Sequence, residues 1–309
     1  MIVLTSPLDF LAWTILGIII VISLLGNGFI VFVNGYRWLR NRRIDLCDIL
    51  LTALSTPRCL LQFVFLMNYS LYFTPPEAYF SMYRKEIISL SWYFLDTISL
   101  WCNTWLNVFY CVKVTNFPNR LFLWLKTRIN ALTLKLLGVS IILSMIFSLP
   151  STISYYDQKK WCNRTGMQPL NASQSKVCRY IGTVLLPPQL SVFLINFIMN
   201  ITACILLLTS LWQHTRNMRK SNIGFKDLNT WVHVNVIKQL IFHVFFYFLY
   251  FVGMAIYTGS MLNLGPMAEM ASDILMCLLP FSHSIILILT NPKLKTSYAR
   301  ILKFRWRVS

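Results

Sequence analysis

An all-α bundle of seven membrane-spanning helices, forming a single domain, is predicted by three observations. Of 309 residues, 56% are apolar and 15% aromatic, while only 12% are charged, against about 25% charged in soluble domains. The apolar residues come in blocks long enough for a bilayer, whose ~30 Å core needs about 20 residues at 1.5 Å each. The basic residues, finally, fall unevenly on the two sides that those blocks define.

The blocks lie at 11–33, 46–67, 87–112, 131–153, 183–211, 234–257 and 270–289, with a tail at 290–309. The first follows no basic region or small-residue cleavage site, so it is expected to stay as a span rather than act as a signal peptide. The second carries Arg58 near its middle. The third is the most polar, with Trp92, Asp96, Ser99 and Asn103 at spacings of four, three and four, which puts them on one helical face. The fifth opens on Pro187-Pro188, the sixth carries Tyr247 and Tyr250, and the seventh has Asp273 near one end and His283-Ser284 near the other.

A net charge of +18 would suggest nucleic acid as a partner in a soluble protein. Here its placement reads as topology instead. Twenty of the 28 Lys and Arg residues lie on the side of the tail, seven on the other side, and Arg58 within a span. The side with the basic excess is cytoplasmic, so the tail is inside and the N-terminus extracellular. The sequons at Asn163 and Asn171 fall in a loop assigned outside, where glycosylation occurs. Cys162 and Cys178 share that oxidising loop, which leaves a disulfide and two free thiols both open.

An ionisable group inside a membrane costs several kcal/mol and is a functional hypothesis by default. Arg58 is expected to face the interior, with Asn27 and Ser284 as acceptors. The polar stripe on span three must also face protein, because lipid would leave its groups unsatisfied. An aromatic wall at Trp92 beside Asp96, near the outer end, has the makings of a small-molecule site. Asp273 would add a second acid, favouring cations and hydrogen-bond donors, and Tyr250 and Tyr247 would close the wall.

Seven spans with the N-terminus outside is the topology of G-protein-coupled receptors. The rhodopsin-class signatures are missing: span three ends Phe109-Tyr110-Cys111-Val112-Lys113, and span seven has no Asn-Pro-x-x-Tyr. In their place stand Gly26-Asn27-Gly28-Phe29-Ile30, the stretch Asp48 to Arg58, and Leu106-Asn107-Val108-Phe109-Tyr110-Cys111-Val112-Lys113-Val114-Thr115-Asn116-Phe117. The third inner loop reads Ser210-Leu211-Trp212-Gln213-His214-Thr215, and span seven closes His283-Ser284-Ile285-Ile286-Leu287-Ile288-Leu289-Thr290-Asn291-Pro292-Lys293-Leu294-Lys295. Together these blocks resemble the type 2 (bitter) taste receptors.

The resemblance implies a plasma-membrane receptor for small bitter agonists that signals through a heterotrimeric G protein of the gustducin/inhibitory type. It places Trp92, Asp96, Tyr250 and Asp273 in a ligand pocket between spans three, five, six and seven. At Asp96 the family usually has Asn. Asn27, Arg58, Tyr110, His283 and Ser284 would form the structural and activation network, and Lys113, His214, Lys293 and Lys295 the G-protein face. The basic inner loops also suit anionic lipid, and no cofactor, metal or nucleic acid is implied. The alternatives are a vomeronasal type 1-like pheromone receptor and, from another class, a transporter or channel using Arg58, Asp96 and Asp273 as an ion path. No metal-spaced His/Cys set or nucleophile–base pair suggests an enzyme.

Overall fold

A computed structural model describes residues 7–42, 45–72, 82–115, 120–165, 172–220, 228–260 and 266–308. It contains α1 (Pro7–Asn41), α2 (Leu46–Tyr72), α3 (Met82–Val114), α4 (Arg120–Thr165), α5 (Ala172–Lys220), α6 (Leu228–Ser260), α7 (Pro266–Thr290) and the short α8 (Pro292–Val308). Among the described residues there is no strand.

Six of these helices are long and apolar enough to cross a membrane: α1, α2, α4, α5, α6 and α7. In α1 the physical reason is visible residue by residue. Leu11, Ile18, Leu25 and Phe32 recur every seven residues and are more than half exposed, as a stripe facing hydrocarbon must be. The opposite face, with Leu16, Ile20, Ser23, Asn27 and Ile30, is buried.

The seventh long helix, α3, is less apolar although its 33 residues span about 50 Å. It packs against α2, α4 and α5, and nearly every side chain from Asp96 to Val112 is buried. A helix surrounded by protein needs no apolar coat, so it can carry the polar residues that its neighbours satisfy. The remaining helices close around it through α1–α2, α4–α5, α5–α6, α6–α7 and α7–α1 contacts.

The starts of α1, α7 and α8 carry Pro7, Pro266 and Pro292, in the first turn where the missing N–H costs nothing. Asn291 separates α7 from α8 and caps the latter: its Oδ1 accepts from the backbone N–H groups of Lys293 at 2.9 Å and Leu294 at 3.4 Å. The helix α2 continues through Pro57.

Two seams depend on glycine. A Cβ at Gly253 of α6 would lie 2.9 Å from Leu275 Cβ and 3.1 Å from the Ser272 carbonyl oxygen of α7. One at Gly26 of α1 would lie 2.5 Å from Ser284 Oγ. At Gly28 the nearest atom is Cys59 Sγ at 3.8 Å, an ordinary contact. Gly253→Ala is therefore expected to cost about 1–3 kcal/mol through overpacking, more than the ~1 kcal/mol that alanine adds in helix propensity. Gly28→Ala should be neutral or stabilising. Melting temperatures of the detergent-purified variants check both, and equal melting would refute the tight α6–α7 seam.

Candidate ligand site and polar network

The stripe predicted on α3 lies inside the bundle. Asp96, Ser99 and Asn103 are buried and Trp92 is half-buried. Asp96 accepts a hydrogen bond from the Tyr250 hydroxyl at 2.5 Å, which ties α3 to α6.

Two cavities stack along this face. The inner, of about 20 Å³, is lined by Arg58, Gln62, Asp96, Ser99 and Tyr250 among others. The outer, of about 80 Å³, is lined by Asn68, Ser89, Tyr257 and Asp273. Trp92 and Phe65 line both and form the partition between them. The Trp92 ring lies 5.3 Å from that of Tyr257. The four residues expected in the pocket are thus brought together, Asp96 and Tyr250 below Trp92 and Asp273 above it.

Among the described residues, both linings come from α2, α3, α6 and α7; the side chains of residues 172–190, the outer part of α5, lie outside the described residues. Where its side chains are described, α5 packs through aromatic rings. Phe193 of α5 meets Tyr93 edge to face at 6.2 Å, and Phe197 stacks on Tyr247 at 5.7 Å and on Phe251 at 4.2 Å, filling the space between α3, α5 and α6.

Arg58 is 2% exposed. Its Nε donates to Ser99 Oγ at 3.1 Å, and its Nη1 lies 2.9 Å from His283 Nδ1. A guanidinium only donates, so Nδ1 of His283 accepts and that ring is neutral. Asn27 and Ser284, the expected acceptors, bond elsewhere. Asn27 donates to the backbone of Ser23 at 2.9 Å and of Pro280 at 3.3 Å, and Ser284 donates to the Phe281 carbonyl at 2.9 Å.

Below Arg58 the network takes in Asn103, Asn107 and Tyr247, which the sequence reading named, and His243, Thr104, Asn196 and Asn200, to which it gave no role. His243 of α6 lies 5.4 Å, ring to ring, from His283. Its Nε2 is 3.0 Å from Asn107 Nδ2 and 3.4 Å from Asn103 Nδ2. Thr104 donates to Asn196 at 3.1 Å and accepts from Asn200 at 3.2 Å, while Tyr247 donates to Asn196. A lone histidine in an aromatic span and two asparagines four apart in an apolar one were the available signals.

At the inner end, the Tyr110 hydroxyl lies 2.7 Å from Cys47 Sγ and Lys113 sits over the Phe109 ring at 5.0 Å. Lys293 Nζ is clasped by Asp45 at 2.7 Å and Asp48 at 2.9 Å. Hydrogen bonding and charge from Lys293 hold the Asp45 carboxyl below its usual range. The hydrogen bonds to Asp45 and then Asp48 hold the Lys293 ammonium above its own. Lys295 lies on α8. Cys162, Asn163, Asn171, Cys178 and His214 lie outside the residues whose side chains are described.

The family model for taste receptor proteins (TAS2R) matches residues 4–306. The chain belongs to the type 2 taste receptor family. It is 34% identical over 285 residues to taste receptor type 2 member 7 of Rattus norvegicus, covering 91% of this chain and 90% of the relative. It is 31% identical over 296 residues to member 9 of Homo sapiens, covering 92% and 90%. With member 105 of Mus musculus the identity is 32% over 288 residues, covering 91% and 92%. The receptor is accordingly a multi-pass protein of the cell membrane that takes ligands and couples to a G protein, in a family of receptors rather than enzymes.

The clasp at Lys293 sets a pH expectation for the receptor. Asp45, with its lowered value, stabilises the fold above the ordinary carboxylate range and stops doing so as pH falls through that lowered value. Lys293, with its raised value, stabilises below the ordinary ammonium range and stops as pH rises through its raised one. Between about pH 5 and 9 the clasp is constant. The difference in melting temperature between wild type and Lys293→Ala is therefore expected to be flat from pH 6 to 8 and to shrink in 1 M salt. A difference that doubles across that pH interval would sink this account.

Proposed function

We propose that the receptor binds small bitter compounds arriving from outside in the stacked cavities between α2, α3, α6 and α7, and activates a gustducin-type heterotrimeric G protein. The observation that carries this is the pair of cavities sharing the Trp92 partition, with Asp273 in the outer one and the Asp96–Tyr250 bond in the inner. An agonist with a donor group competes with Tyr250 for Asp96, so it favours arrangements in which α3 and α6 are parted. Activation is then a population shift, which needs a differential affinity of a few kcal/mol. Lys113, His214, Lys293 and Lys295 contribute to the G-protein face, where Lys293 must exchange its two carboxylate partners to be used.

The test is calcium imaging of cells that express the chain with a promiscuous, gustducin-tailed G-protein subunit, challenged with a broad panel of bitter compounds. A saturable response that requires the G protein supports the reading. Current or uptake that persists without any G protein would replace it with transport.

A further inference from the structure

Gln62 of α2 has no role in the site described above, yet it is the most anomalous side chain in it. It is fully buried, and neither its Nε2 nor its Oε1 finds a hydrogen-bond partner in the protein. The side chain lies one helical turn beyond Arg58 on the same face and borders the inner cavity. A carboxamide offers two donors and an acceptor, and burying it with none of them satisfied is unfavourable. Its partner must therefore come from the cavity it borders. About 20 Å³ exceeds the ~10–15 Å³ that a water needs, so one small polar group fits.

The other walls say what kind of group. Arg58 and Asp96 border the same space without pairing to each other: Arg58 bonds Ser99 and His283, and Asp96 bonds Tyr250. An anion there would face Asp96 and a cation would face Arg58. A neutral group that both donates and accepts meets neither penalty, and it matches the amide of Gln62 on both counts.

We infer that the chamber below Trp92 is a subsite for a neutral donor–acceptor group, a primary amide or hydroxyl, at the inner end of an agonist, and that Gln62 is its specificity-determining residue. The inference rests on the binding reading given above. It adds a division of labour to it: Asp273, in the outer cavity, favours cationic or donor groups, and the inner chamber selects uncharged ones. A ligand reaching both displaces the Trp92 ring that separates them.

Four aromatic probes of nearly one shape separate the possibilities: benzamide (neutral, donor and acceptor), acetophenone (acceptor only), benzoate (anion) and benzamidinium (cation). The readout is the thermal shift of the purified full-length receptor as each is titrated. Benzamide is expected to act at a concentration at least about tenfold lower than any of the others, because a site built to hydrogen-bond a group rejects analogues that lack it. In Gln62→Leu the preference for benzamide over acetophenone should fall to within about twofold, and Gln62→Asn, which keeps the amide, should retain part of it. A wild type that all four shift alike, or that none shifts, overturns the inference. So does a Gln62→Leu protein that keeps the preference. If Gln62→Leu does not fold, the wild-type ranking and Gln62→Asn decide. The thermal shift needs no G protein, so its failure is distinguishable from a failure of the signalling assay.

Discussion

Asp96→Ala is expected to silence the receptor while leaving its delivery to the cell surface intact. The substitution removes the acceptor of the Tyr250 hydroxyl and, with it, one of the bonds that join α3 to α6. Stability should change little. The stranded hydroxyl costs about 1–3 kcal/mol, but a buried carboxylate no longer has to be desolvated. Agonist recognition loses its one deep acid, and a shift of at least 100-fold in half-maximal concentration is expected, equivalent to about 2.7 kcal/mol. Trp92→Ala should do the same by another route, since it merges the two cavities that the ring divides. Asp96→Asn keeps an acceptor for Tyr250 and should be milder. Dose–response curves beside surface immunolabelling check the set. Unchanged curves for both alanine variants would remove these residues from the ligand site.

Arg58→Ala should fail earlier, at folding. Each hydrogen bond from a charged donor contributes about 1.5–3 kcal/mol, and Arg58 makes two, to Ser99 and His283, across three helices. Truncation leaves both partners without their donor and opens a void where one of the largest fully buried side chains among the described residues stood. A loss of about 3–5 kcal/mol is expected, enough to deplete the surface population. Arg58→Met refills much of the volume without the charge and should recover part of that stability without recovering signalling. Melting of the purified variants, read beside surface counts, tests this. An Arg58→Ala receptor that melts with the wild type would show that α2, α3 and α7 do not rely on the guanidinium.

The bundle was legible because its determinants are linear: block length, the sidedness of Lys and Arg, and the four-three-four spacing on α3 are all properties of neighbours in sequence. The same spacing placed Trp92, Asp96 and Ser99 on the buried face. What was not legible is helix rotation. Consecutive residues point about 100° apart around a helix, so an expectation that settles on Ser284 when His283 faces Arg58 names the wrong side of α7 by one residue. The acceptor from α3, Ser99, was on the predicted face but was not assigned to Arg58. Gln62 had the simplest signal, four residues after Arg58 and so one turn along the same face, yet a neutral amide in a span attracts less notice than a charge. The part played by α2 in the cavity lining depends on how α2, α3, α6 and α7 meet, a property of four helices at once.

The polarity of α3 has a consequence for how the receptor is made. A segment carrying Asp96, Asn103 and Asn107 partitions poorly from the translocon into lipid by itself, since an acidic residue opposes insertion, by about 2.5–3.5 kcal/mol at the centre of a span and less toward its ends. It settles only once α2 and the later helices α4 to α6 arrive to accept its hydrogen bonds. Integration of α3 is therefore coupled to synthesis of segments that follow it, and the chain must hold an incompletely inserted helix until they emerge. Lesions in seams far from any ligand, such as α5 at Asn196 or Asn200, would then surface as retention in the endoplasmic reticulum. Apolar replacements along the α3 stripe would ease biogenesis while removing the hydrogen-bond partners of Tyr250 and His243.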